Sequence, residues 1–228
     1  MPSGILERFI NADCDTCWRD PATPTARPGD IAVDWVLPGR QGDDAPLSAV
    51  ALREGLQRLE VLKQADPVSA WTHQRIAVAS SKRRPKSQTG DTGTTGNAAT
   101  MPLRVARGIA LNGYIGASIE LRLPVTATGS VARLRYPLTA WLLLTETIPA
   151  GSEGSPVTRA LVRNSLVSTW NAPRQISKPA SNDKAQRHFE SRPMSLPPDS
   201  NPDRINVVGW VEDAQGRLLA SAVSVCQP

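Results

Sequence analysis

Apolar and polar residues take turns along the second half of this chain. Ile115, Ala117, Ile119, Leu121, Leu123 and Val125 fall on one side of an extended backbone, and Gly116, Ser118, Glu120 and Arg122 on the other. That period of two is what a half-buried strand requires. The same pattern predicts strands over Val131 to Tyr136, Leu138 to Thr147, Val157 to Trp170, Ile205 to Glu212 and Arg217 to Val225. One more is expected around Arg187 to Met194, inside the polar, proline-rich stretch from Asn171 to Arg204. Asp213-Ala214-Gln215-Gly216 reads as the turn of a hairpin, with glycine supplying a positive φ. On this alternation Arg159 and Arg163 are expected on a solvated sheet face. Strands separated by turns, with no helical period, predict an antiparallel, immunoglobulin-like β-sandwich over residues 113–228.

The first half has a different texture. Ile5 to Asn11 is a half-apolar strand, and Asp30 to Leu37 is another, stopped by Pro38-Gly39. A helix is predicted from about Ala45 to Ala65, with Asp43 or Asp44 as cap, Pro46 in the first turn, and Val50, Leu52, Leu56, Leu59 and Leu62 as its apolar stripe. Gly55 inside it costs up to about 1 kcal/mol relative to alanine. Short strands follow at Arg75 to Ser80 and Leu103 to Leu111. Between them, Ser81 to Thr100 is rich in Lys, Thr, Gly and Ser and is expected to be a mobile loop, because it has too little apolar surface to offset its ordering entropy. Residues 1–112 therefore read as an α/β unit, and the whole chain as α+β with two domains.

Composition narrows the class without naming a function. A chain of 228 residues has room for one large or two small domains. The longest apolar run, Leu138 to Leu144, is far short of the ~18 to 20 residues of a membrane helix, so no span is expected. Met1-Pro2-Ser3-Gly4 leads straight into the first strand without a secretory apolar region. For an exported protein the reading is that the signal peptide has been removed, with Met1 a cloning start. The charge of +5 comes from 26 basic and 21 acidic residues. Its densest cluster, Lys82-Arg83-Arg84-Pro85-Lys86, lacks the neighbouring aromatics of a nucleic-acid surface and reads as a solvated loop.

The candidate chemistry lies where the first strand ends. Cys14 and Cys17 form a Cys-x-x-Cys pair, one helical turn apart and close enough for a disulfide. Thiols so placed are the chemical core of thioredoxin-like redox sites. The third cysteine, Cys226, is a spare thiol near the end of the last strand. His73 and His188 have no ligand-like neighbours, so neither a metal nor a cofactor is expected. Pro21, Pro24 and Pro28 break up any long helix after the pair. Asp13 and Asp15 flank Cys14, and carboxylates disfavour a thiolate. Both features favour an inert Cys14–Cys17 bridge over a fast-exchanging one.

Three stretches resemble a family of exported bacterial thioredoxin-like proteins of unknown function, which join a Cys-x-x-Cys unit to a C-terminal β-sandwich. They are Leu6 to Cys17; Trp141 to Leu166, with Leu143-Leu144-Thr145-Glu146 and Gly151-Ser152-Glu153-Gly154; and Arg204 to Asp213 with Gly216 to Ala220. The resemblance implies a periplasmic or secreted location and exported proteins or peptides as partners. It also implies a cis-proline opposite the thiols, for which Pro102, ahead of the Leu103 to Leu111 strand, is the match. Two functions stay open at this point. One is a structural or binding protein with a Cys14–Cys17 disulfide. The other is a thiol–disulfide oxidoreductase in which Cys14 attacks, Cys17 resolves and Pro102 shapes the peptide groove.

Overall fold

The computed structural model describes residues 2–67, 70–79, 101–123, 134–172, 174–175 and 186–224. The expected loop at 81–100, the opening of the expected strand at 131–133, and Cys226 lie outside the described residues.

Among the described residues, eleven strands form two sheets. In chain order they are β1 (Gly4–Asn11), β2 (Asp30–Leu37), β3 (Trp71–Ala77), β4 (Leu103–Leu111), β5 (Tyr114–Arg122), β6 (Leu138–Ile148), β7 (Arg159–Trp170), β8 (Arg174–Gln175), β9 (Gln186–Ser195), β10 (Ile205–Glu212) and β11 (Leu218–Val223). The larger sheet runs β11-β10-β6-β7-β2-β1-β3, and the smaller runs β4-β5-β9-β8. The small sheet is antiparallel throughout. The large one is mixed: β1 pairs in parallel with β2 over its full length, and β2 touches β7 in parallel at a single register position, Asp34 opposite Leu161. Just past β3, the Ala79 N–H donates to the carbonyl of Leu218 on β11 at 2.7 Å. The large sheet therefore curls far enough for its two ends to be bridged.

Among the described residues the helices are α1 (Asp15–Trp18), a single turn, and α2 (Glu54–Leu62), of 9 residues. This corrects the expected thioredoxin-like α/β unit: the fold is predominantly β, and the first half supplies strands to a sheet that it shares with the second. The expected domain boundary at 112/113 falls in the turn of the β4–β5 hairpin. The long helix also contracts. Residues 42–44 and 48–50 are 3₁₀ turns, the Leu52 N–H bonds to the Val36 carbonyl at the end of β2, and Lys63 at φ 55° closes α2 in the left-handed region. Tertiary bonding to β2 outcompetes the first two turns of the predicted helix. Gly55 has a packing role in what remains, because a Cβ there would lie 2.6 Å from Leu37 Cδ2.

Among the described residues the core has three parts. One lies between the sheets, with Ile115, Ile119 and Leu121 of β5 against Leu142 and Leu144 of β6 and Val207 and Val211 of β10. Gly209 of β10 permits the sheets to approach: a Cβ there would meet Val105 Cγ1 at 2.7 Å and Ile119 Cδ1 at 3.0 Å. The opposite face of the large sheet packs against α2 through Ile5, Phe9, Trp35, Trp141, Val208 and Trp210. A third cluster surrounds the two cysteines.

Candidate functional site

β1 ends at Asn11, and the chain turns at once: the Cys14 N–H donates to the Asn11 carbonyl, and the Ala12 N–H to the Leu37 carbonyl of β2. Cys14 is the N-cap of α1, and its Sγ accepts from the Cys17 N–H at 3.3 Å. The two cysteines form a disulfide with Cα atoms 5.2 Å apart. The structure thus brings together the two candidate residues that the sequence singled out.

Burial decides what this pair can do. Cys14 and Cys17 are 8% and 6% exposed, packed with Ile10, Ala12, Trp18, Val36, Ile148 and Leu161. The flanking acids are engaged elsewhere. Asp13 accepts from the backbone N–H groups of Arg40 (2.7 Å) and Gln41 (3.2 Å), and Asp15 pairs with Arg19 at 3.0 Å in an exposed i,i+4 bridge.

Pro102 lies elsewhere in the fold. It precedes β4 in the small sheet, where its carbonyl accepts from the Arg122 N–H at 3.1 Å, and it has no place in the cluster around the sulfurs. The cis peptide bond among the described residues is Tyr136–Pro137, so the expected cis-proline at 102 is corrected. His73 is exposed on β3. His188 is buried, stacked on Trp170 at 4.8 Å, with Nε2 3.0 Å from the Tyr136 hydroxyl. Burial pushes its pKa below the ordinary histidine value. No group of three or more metal-ligating side chains occurs among the described residues. No helix among them is long and apolar enough to cross a membrane.

Sequence reasoning missed the ionic groups that hold this region together. Arg159 and Arg163, expected on a solvated face, are both buried. Arg159 bonds Asp34 through Nη1 at 3.1 Å, Ser155 Oγ through Nε at 2.8 Å and the Trp18 carbonyl through Nη2 at 2.7 Å. Its guanidinium also lies over the Trp18 ring at 4.5 Å. Burial pushes its pKa down, against the pull of Asp34. Asp34 is shared with Arg8, whose Nη2 lies 2.6 Å from its second oxygen. The turn that carries the disulfide is therefore fastened at its far end by a buried Arg8–Asp34–Arg159 group.

The other face of the sheet holds a second group. Arg58 of α2 makes a bidentate contact with Glu7 at 2.8 to 3.0 Å and reaches Glu212 at 2.7 and 3.1 Å. The indole N–H groups of Trp35 and Trp210 donate to Glu7 and Glu212 respectively. Arg58 sits over the rings of Trp141 and Trp210 at 4.8 and 5.2 Å. Burial alone would lower its pKa, but the attraction and hydrogen bonds of the two carboxylates win and raise it. The available signal was the presence of Glu7, Arg8, Asp34 and Glu212 inside otherwise apolar strands, since a charge in a buried strand requires a partner.

Compared with protein-family models, curated proteins and solved structures, the chain matches none of them.

Proposed function

We propose that this chain is a non-enzymatic structural or binding protein of an oxidising compartment, the periplasm or the cell exterior, in which Cys14–Cys17 is a permanent bridge. The observation that carries this reading is the burial of both cysteines, with Trp18, in one apolar cluster. Exchange requires a thiolate to attack one sulfur of the bridge, and access limits the rate. A closed bridge of this kind persists where the surroundings are oxidising, which favours an exported protein. Its partners are exported proteins or small molecules bound without chemistry.

The experiment is a redox titration of the Cys14/Cys17 couple in the folded protein, together with an insulin-reduction assay. The reading expects a midpoint below about −300 mV and no insulin reduction. A midpoint above roughly −270 mV, with insulin reduction lost in Cys14→Ser, would replace it with the second reading, a thiol–disulfide oxidoreductase. One observation favours that alternative: the Cys17 N–H aimed at Cys14 Sγ would stabilise a Cys14 thiolate after reduction.

A further inference from the structure

A cleft of about 410 Å³ opens beside the disulfide, between the end of β6, the start of β7 and the loops that approach them. This is near the lower end of the range for small-molecule sites. Its apolar wall is Trp18, Leu47, Val50, Ile148 and Leu161. Trp18, Ile148 and Leu161 belong to the cluster around the sulfurs and Leu47 and Val50 pack against it, so the bridge and the cleft share one foundation. Trp18 is fixed from two sides, by Arg159 over its ring and by its own Nε1–H, which donates to the Glu153 carbonyl at 2.8 Å.

The polar wall is lopsided. It carries three carboxylates, Glu146, Glu153 and Asp199, against two guanidinia, Arg163 and Arg204, leaving one negative charge. Both guanidinia are already engaged. Buried Arg163 lies 3.4 Å from Glu146 and 2.5 Å from Asp199 and bonds Ser200 Oγ, and Arg204 pairs with Glu153 at 3.0 Å. Arg19, on the same side as the Glu153 loop, is paired with Asp15. Among the described residues of this wall, an incoming anion would find no guanidinium outside an ion pair. An incoming cation finds acceptors, because the side chains of Asp199 and Glu153 are 51% and 53% exposed and each carboxylate has more lone-pair sites than its partners fill. The hydrogen bond from Arg163 holds the Asp199 carboxyl below the usual carboxylate range, so it stays ionised near neutral pH.

The geometry points to this cleft as a binding site for a small amphiphilic cation, an apolar chain or ring carrying an ammonium group. The apolar part lies along Leu47, Val50, Ile148 and Leu161, and the ammonium meets Asp199 and Glu153 at the rim. This deepens the binding reading above by naming a ligand class.

The test is calorimetric titration of the full, oxidised chain with n-octylammonium, octanoate and 1-octanol, which share an apolar tail and differ in head group. Octylammonium is expected to bind at least ten-fold more tightly than either of the others. Asp199→Asn, at a half-exposed position, should weaken octylammonium about ten-fold, and Leu47→Lys, which places an ammonium of its own in the cleft, should abolish binding. Both variants are checked by thermal melting for an intact fold. Octanoate binding as tightly as octylammonium, octylammonium binding unchanged in folded Asp199→Asn and Leu47→Lys, or no octylammonium binding to the wild type would each overturn the assignment. The titration involves no thiol chemistry. Insulin reduction by the wild type would therefore end the permanent-bridge reading and leave this result standing, whereas loss of amine selectivity would end the cleft assignment and leave the bridge.

Discussion

Glu7 and Arg8 are consecutive on β1, both fully buried, and carry opposite charges to opposite faces of the large sheet. Glu7 completes a group of two carboxylates and one guanidinium with Glu212 and Arg58; Arg8 completes one of two guanidinia and one carboxylate with Arg159 and Asp34. The formal charges of the two groups, one negative and one positive, face each other across a single strand. Each group ties distant parts of the chain to the sheet: α2 to β1 and β10 on one face, α1 and β7 to β1 and β2 on the other.

Removing the shared guanidinium of the first group should therefore be severe. Arg58→Met leaves Glu7 and Glu212 buried without a counter-charge, a situation that costs about 3–5 kcal/mol. The triple variant Glu7→Gln, Arg58→Met, Glu212→Gln removes all three charges and should recover a large part of that loss. Urea unfolding midpoints for the two proteins check this, and a triple variant no more stable than the single one would show that shape, not charge, holds α2.

Arg159 links the second group to the disulfide turn. Arg159→Met removes its bonds to Asp34, Ser155 and the Trp18 carbonyl, and should destabilise the fold by about 3 kcal/mol, as expected for a broken buried pair. It should also speed reduction of Cys14–Cys17 by dithiothreitol, because Trp18 no longer has its lid. Unchanged reduction kinetics in a folded variant would mean that Trp18 is held by its cluster and by Glu153 alone.

The bridge itself closes a very short loop. For four residues, chain entropy predicts a stabilisation of about 2 kcal/mol. Cys14→Ser with Cys17→Ser should lower the unfolding free energy by roughly that amount and leave a folded protein. Loss of folding altogether would assign the bridge an organising role beyond its loop entropy.

Local rules read much of the fold. β10 runs over Ile205 to Glu212 and β2 over Asp30 to Leu37, as their alternation and flanking turns predict, because those signals lie within a few residues of each strand. The Cys-x-x-Cys bridge was equally local. What escaped depends on partners far along the chain. Arg159 finds Asp34 across 125 positions and Arg58 finds Glu212 across 154, so a period-two pattern has no means of telling a buried ionic face from a wet one. The same holds for β1 and β2, whose parallel pairing and junction with β7 add the first half of the chain, as β2-β1-β3, to one side of a sheet whose other four strands come from the second. The helix predicted from Ala45 lost its beginning to β2, a competitor invisible to helical periodicity.

Gly209 tests the contact between the sheets. An added methyl must displace Val105 or Ile119, both in strands of the facing sheet. Gly209→Ala is expected to cost about 1–3 kcal/mol, the usual range for overpacking a filled core. Thermal melting would register this as a clear drop, whereas an unchanged midpoint would place free space between the sheets.

His188 should make stability depend on pH. Burial lowers its folded pKa below the unfolded value of about 6.5, so over this window the unfolded chain binds more protons than the native one. Stability should then fall as pH drops through about 6.5 and stop falling, as far as this group is concerned, once pH is below the folded pKa. His188→Gln removes the titrating ring and should flatten that part of the profile, even if it lowers stability overall through the lost stacking on Trp170 and contact with Tyr136. Unfolding free energies of both proteins across this window decide the matter: identical slopes would show that the site accommodates the protonated ring and that His188 contributes no pH dependence.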